Sequence, residues 1–277
     1  MPREYLKKAT KSARTDAADV SQTVSAMLSD IEQGGEDAAR RYATQLDGYD
    51  GPIVLSADAI AEACARVPQG LRDDITFARD NVRSFAEMQK QSVQDTHTEV
   101  VPGLIAGQKA IPCNAAGCYI PGGRYSHVAS AIMTVTTAKV AGVRHITACS
   151  PPRPDVGLPP AIIFAAHLCG ADSILAMGGV QGIAAMTFGL FGLPRADILA
   201  GPGNQYVAEA KRILYGRVGI DMVAGPTDSL ILADATADPH IVATDLVSQA
   251  EHGYNSPVWL VTDNRALAQD VARRVPA

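Results

Sequence analysis

The sequence predicts an α/β protein built on a parallel sheet. Between Gly117 and Gly219 a short apolar run, a turn rich in glycine or proline, and a helical pattern recur four times. Parallel neighbours need crossovers of about a dozen residues or more, and helices are the usual ones. A helical stretch precedes this block, and a strand, helix and strand pattern follows it. At 277 residues with 47% hydrophobic content, the chain has enough apolar side chains to bury such a sheet.

Residues 1–16 have no apolar spacing of their own and read as an N-terminal arm. From Ala17 to Gln91 apolar residues fall three and four apart, and the first helix is expected to stop at Gly34-Gly35. A strand-like Ile53-Val54-Leu55 precedes Ser56, a helix cap. The four repeated units follow. GCYIPGG (117–123) leads into SHVASAIMTVTTAKVAG, and HITACSPP leads by a proline-rich loop to PPAIIFAAHLCG. DSILAMGG leads into VQGIAAMTFG, and ADILAGPGN into QYVAEAKRILYG. Beyond Gly225-Pro226, the best boundary, come a strand, a helix capped near Asp238-Pro239, and the strand in SPVWLVTD.

Composition excludes several function classes. The net charge of −5 comes from 24 basic and 29 acidic residues, with no basic block suited to a phosphate backbone, so nucleic acid is not an expected partner. No apolar run reaches membrane-spanning length and the start is charged and polar, so a cytoplasmic protein with no membrane partner is expected. Five scattered cysteines without a Cys-x-x-Cys spacing read as reduced, mostly buried thiols. Cys149, at a strand end, is the best-placed thiol nucleophile, but a buried small hydrophobe is the favoured reading.

Ligands of open parallel sheets bind beyond the carboxyl ends of the strands, where helix N-termini present free N–H groups. The turns there carry Tyr119 with Gly122-Gly123, Gly178-Gly179 with Gln181, and Gly201-Pro202-Gly203-Asn204. Glycine admits close backbone approach, and Gln181 and Asn204 each offer a donor and an acceptor to a base or ribose. Together they suggest a nucleotide, while a structural tight turn is the competing reading of each alone. In SQAEHG, Gln249 and His252 share one helix face and Glu251 is rotated away. That pair suits either half a metal site or a plain hydrogen bond. His97, His145, His167 and His240 read as structural or surface histidines.

Six stretches in order resemble the motifs of histidinol dehydrogenases: GCYIPGG, AKVAGV, AMGGVQGIAAMTFG, ILAGPGNQYVAEAK, GRVGIDMVAGPTDSLILAD and DLVSQAEHG. The resemblance implies a zinc-requiring, NAD-dependent homodimer with exchanged terminal segments, oxidising a primary alcohol through an aldehyde to a carboxylate. It implies two Rossmann-like domains with parallel sheets, the first interrupted by the second: 17–116 with 226–277, and 117–225 binding NAD. Tyr119, Gln181 and Asn204 would contact NAD. Gln249 and His252 would be zinc ligands lying against the substrate, with Thr227 also contacting it. No catalytic residue is assigned: the family's Glu-His acid/base pair, an aspartate and a further histidine would lie beyond Ala277. The C-terminal part of the family fold is thus expected to be absent, and the chain alone inactive.

GGRYSHVASAIM and GPTD depart from the usual histidinol-oxidising pattern and resemble the branch of the family that oxidises 2,3-dihydroxypropane-1-sulfonate to sulfolactate. A sulfonate, a permanent anion, suits an arginine fork or a helix N-terminus, whereas cationic histidinol favours a carboxylate. Arg124 and His127 are the candidates to bind this anionic alcohol; Arg124 serving the cofactor pyrophosphate or solvent is the alternative. Histidinol oxidation is the competing activity within the family, and a non-catalytic nucleotide-binding module the competing reading outside it.

Overall fold

The computed structural model describes residues 4–8, 17–122, 126–154, 156–223, 228–250 and 256–275. The chain divides into two compact units, one of residues 20–224 and one of residues 1–19 with 225–277.

In the larger unit, the opening pattern forms α1 (Ala17–Tyr42), a π-turn (Ala43–Asp47), α2 (Ala57–Ala65) and α3 (Gln69–Lys90). The expected break in the first helix is at Gly35, whose φ of 59° and ψ of −139° separate two helical stretches. Ser56 caps α2 as expected, accepting from the Ala59 N–H at 3.2 Å. The Ile53-Val54-Leu55 run makes one antiparallel bridge, Val54 to Leu175, instead of a full strand. A hairpin, β1 (Thr96–Val101) and β2 (Leu104–Gln108), was not expected; its residues are exposed throughout, so no buried face leaves an alternating apolar signal.

The repeated block forms β3 (Ala115–Tyr119), α4 (Val128–Ala141), β4 (His145–Ser150), α5 (Pro160–Cys169), β5 (Ser173–Ala176), α6 (Gly179–Phe188), β6 (Ile198–Ala200), α7 (Gln205–Leu214) and β7 (Gly219–Ile220). The strands are parallel in the order β5-β4-β3-β6-β7. The chain winds outward from β3 to one side, then crosses to the other, so the switch point lies between β3 and β6. Successive side chains point to opposite faces. Tyr119 and Cys149 accordingly join a core with α1, α6 and α7, while Cys118 and Ala148 join one with α2, α4 and α5. Both faces are covered, and β3 is buried throughout.

In the smaller unit, β8 (Ser229–Leu232) and β9 (Val258–Val261) pair in parallel around the crossover helix α8 (Pro239–Ala250), followed by α9 (Arg265–Arg274). Ile231, Val258 and Leu260 pack on Val242, Ala243, Leu246, Leu267 and Val271. Lys7 of the N-terminal arm donates to the Ala272 and Val275 carbonyls, at 3.1 and 2.6 Å, and Glu4 pairs with Arg265 at 2.7 Å. Residues 4–8 of the arm thus take partners from the C-terminal end of this unit.

Candidate dinucleotide site

The carboxyl ends of β3, β4, β5, β6 and β7 gather on one edge of the sheet, and two of the glycine turns there are fixed by carboxylates from elsewhere in the fold. At the first, β5 ends at Ala176 and α6 begins at Gly179. The Gly178 N–H donates to Asp47 Oδ2 at 2.9 Å, and Gln181 Nε2 donates to the same oxygen at 3.0 Å. The Gly179 N–H donates to the Tyr119 hydroxyl at 2.9 Å. Tyr119 is thus joined to the turn carrying Gln181, two of the three residues read as cofactor contacts. Burial holds the Tyr119 phenol well above its ordinary value, so the hydroxyl stays neutral. Burial also pushes the Asp47 carboxyl up, opposed by the Gly178 N–H and by Gln181.

The second turn is Gly201-Pro202-Gly203-Asn204. Gly201 has φ 119°, and a Cβ there would collide with the Tyr119 carbonyl oxygen, so only glycine lets this turn lie against β3. Its N–H donates to Asp221 Oδ2 at 2.8 Å and its carbonyl accepts from Lys211 Nζ at 2.9 Å. Lys211 also pairs directly with Asp221 and is almost wholly buried. This ion pair grips both polar groups of one glycine at the switch point. Asn204 Oδ1 caps α7, accepting from the Tyr206 and Val207 N–H groups at 3.0 and 3.1 Å. Its oxygen is occupied by the cap, which leaves the amide nitrogen of this exposed residue as the group suited to a ligand.

Asp47, Lys211 and Asp221 were missed by sequence reasoning. Asp47 lies 131 residues before Gly178, and no local pattern connects them. Asp221 follows Gly219–Ile220, and an acidic residue just past a strand end, ten residues after a helical lysine, was a weak signal for the pair. Arg153, exposed on the carboxyl edge beside Pro121, Gly122, Ser126 and Ser150, was also passed over.

The remaining predicted residues divide. His127 immediately precedes α4 and is partly buried. Gln249 stands one residue from the end of α8 in the smaller unit. Arg124, Thr227 and His252 lie outside the described residues. Among the described residues, no group of three or more His, Cys, Asp or Glu is placed to hold a metal. Gln249 alone does not make a zinc site, and even with His252 the set falls short of the three or four ligands zinc takes. Cys149 is fully buried, and its thiol donates to the Met177 carbonyl at 3.1 Å. Burial pushes that thiol well up, which suits the packing role and not a nucleophile.

A cavity of about 300 Å³ is elsewhere: Arg79, Arg83, Glu87, Lys90, Thr136 and Lys139 line it near the C-terminal ends of α3 and α4. Its cations are engaged already, Arg83 with Glu87, Arg79 with Asp80, and Lys90 with the Val140 carbonyl. No helix among the described residues is long and apolar enough to cross a membrane.

A family model for histidinol dehydrogenase matches residues 10–277. A sulfopropanediol 3-dehydrogenase of Ruegeria pomeroyi is 69% identical over 274 residues, covering 99% of this chain and 63% of that protein. A histidinol dehydrogenase homolog of Pelagibacter ubique is 56% identical over 273 residues, covering 98% and 64%. The crystal structure of histidinol dehydrogenase from Elizabethkingia anophelis matches with a TM-score of 0.83 at 37% identity, covering 96% of this chain and 61% of that one. The chain therefore spans about three-fifths of the length of these relatives. With the ordered motifs, the parallel sheet and this match along nearly its whole length, the chain belongs to the histidinol dehydrogenase family.

Proposed function

We propose that this chain forms the dinucleotide-binding part of an NAD-dependent, zinc-dependent dehydrogenase that takes 2,3-dihydroxypropane-1-sulfonate through the aldehyde to sulfolactate. The observation that carries the reading is the 69% identity to a sulfopropanediol 3-dehydrogenase over 274 residues. The geometry supports the nucleotide half. Tyr119, Gln181 and Asn204 stand at the carboxyl edge of a parallel sheet, beside its switch point, on turns held rigidly from behind.

In this reading the turns bind and orient NAD, and the substrate meets Thr227, Gln249 and His252. Arg124 or His127 receives the sulfonate. When bound, zinc would polarise the alcohol oxygen. Gln249 and His252 are its proposed ligands in this chain, and the rest come from outside the described residues. Residues 17–116 and 226–277 are proposed to belong to one domain of the complete enzyme, a homodimer located in the cytoplasm. The 277-residue chain by itself is expected to bind NAD without oxidising the alcohol.

The test compares NADH formation from 2,3-dihydroxypropane-1-sulfonate and from histidinol, with zinc analysed. It is run on this chain and on a protein extended by the segment its longer relatives carry. Turnover of the sulfonate by the extended protein, with little from histidinol, is the expected result; preference for histidinol overturns the substrate. NAD binding with no turnover and no zinc in the extended protein would favour a non-catalytic module. Arg124→Ala in the extended protein is expected to raise KM for the sulfonate about tenfold or more with a smaller change in kcat. An unchanged KM removes Arg124 from that role.

A further inference from the structure

The family motifs do not include Asp47, the last residue of the π-turn, whose carboxylate meets the first turn of α6. We propose that Asp47 is a positioning residue of the dinucleotide site, holding Gln181 so that its Oε1 is the acceptor offered to a hydroxyl or amide N–H of the dinucleotide. This rests on the NAD reading above.

Three observations support it. One carboxylate oxygen takes both the Gly178 N–H and Gln181 Nε2, so a single side chain fixes the backbone of the turn and the amide that the turn carries. A carboxylate only accepts, so the Gln181 nitrogen must face Asp47 and the amide's orientation follows from chemistry. Gln181 is 1% exposed, and its Oε1 has no hydrogen-bond partner among the described residues. Buried acceptors in native proteins are met by protein, water or ligand. Oε1 lies beside Gly179, where an added Cβ would stand 3.0 Å from it and which is itself partly exposed. π-turns of this kind recur at functional sites, and this one ends on the residue that does the holding.

NAD binding to the chain is measured by calorimetry for the wild type, Asp47→Ala, Asp47→Asn, Asp47→Leu, Gln181→Met and the Asp47→Ala/Gln181→Met double variant, each checked for folding by its melt. Asp47→Ala is expected to weaken NAD about tenfold, and Gln181→Met by a similar factor. Asp47→Asn, which keeps an oxygen for both donors, should return affinity to within about threefold of wild type, whereas Asp47→Leu, of similar size but without an acceptor, should lose as much as Asp47→Ala, a loss that packing alone would not predict. The double variant should lose less than the sum of the singles, because Asp47 acts through Gln181. Unchanged binding in Asp47→Ala, or fully additive losses, overturns the positioning role and leaves the NAD reading standing. A folded wild-type chain that binds no NAD overturns the reading and the Asp47 assignment with it. If Asp47→Ala does not fold, Asp47→Ser, too short to reach both donors, takes its place with the same expected loss.

Discussion

The two parallel sheets among the described residues use the same device, strands joined by a crossover helix, and end in different conditions. In the five-stranded sheet β3 is buried at every position and β4 at all but its first. In the two-stranded sheet burial alternates: Ile231, Val258 and Leu260 meet α8 and α9, while Leu230, Leu232, Trp259 and Val261 face outward, Leu232 at 77% exposure. Apolar residues on both faces of a parallel strand are the mark of cover on both sides. The larger sheet has that cover; the smaller has the sequence for it on a face that is open. The turns held by distant carboxylates are found where cover is complete, because those carboxylates come from the covering layers or from the sheet's far edge.

The sharpest way to break this contrast is at the switch point. Gly201→Ala sets a methyl against the Tyr119 carbonyl at a backbone angle that alanine rarely adopts. A loss of about 3 kcal/mol or more is expected in urea unfolding. A loss below about 1 kcal/mol would mean that the turn can move away from β3 at little cost, and is not rigid.

Next in size is the ion pair behind that turn. Asp221→Ala leaves Lys211, almost wholly buried, with only the Gly201 carbonyl, and is expected to cost about 3 kcal/mol. Lys211→Met should cost less, about 1–2 kcal/mol, since Asp221 is a third exposed and can be solvated while the Gly201 carbonyl loses its donor. The reverse order in chemical denaturation would show that burying the lysine without its carboxylate costs less than stripping the Gly201 carbonyl of its donor.

On the open face the expectation is opposite in kind. Leu232→Lys and Trp259→Lys should change unfolding free energy by no more than about 0.5 kcal/mol, since both side chains project from the packed face. They should, however, reduce concentration-dependent association in sedimentation, because an exposed apolar patch drives it. A large stability loss would show these residues packed as firmly as β3, and the contrast between the sheets would fail.

How much of this was legible in sequence follows from the range of each interaction. The parallel block was legible because its signals are local: apolar runs, turn residues and helix caps within about a dozen residues of one another. The break at Gly35 and the cap at Ser56 were legible for the same reason, while Asn204 was singled out for a ligand and its cap on α7 went unread. The exposed hairpin was not, since exposure removes the periodicity that marks a strand. Tyr119 and Gln181 were placed by motif, but the groups that hold them were hidden. Asp47 reaches Gly178 across 131 residues, and Asp221 acts on Gly201 through the order of strands, which no local window contains.

The smallest expected effect is on the pH dependence contributed by Asp47. Its carboxyl is raised above the ordinary value of 3.8 chiefly by burial, with the Gly178 N–H and Gln181 opposing. Between 3.8 and its higher folded value, the native state therefore holds more of this proton than the unfolded state does. Stability contributed by this group is complete below 3.8 and is lost as pH rises through the folded value. Tyr119 and Cys149, the titratable groups that sense Asp47's charge, are both pushed upward by burial and stay neutral across that window, so they do not mask it. Urea midpoints of wild type and Asp47→Asn, compared from about pH 4 upward, should show the wild type losing ground to the variant as pH rises. Should the wild type instead gain on the variant, the two hydrogen bonds to Oδ2 outweigh burial, and Asp47 holds its turn by charge more than by shape.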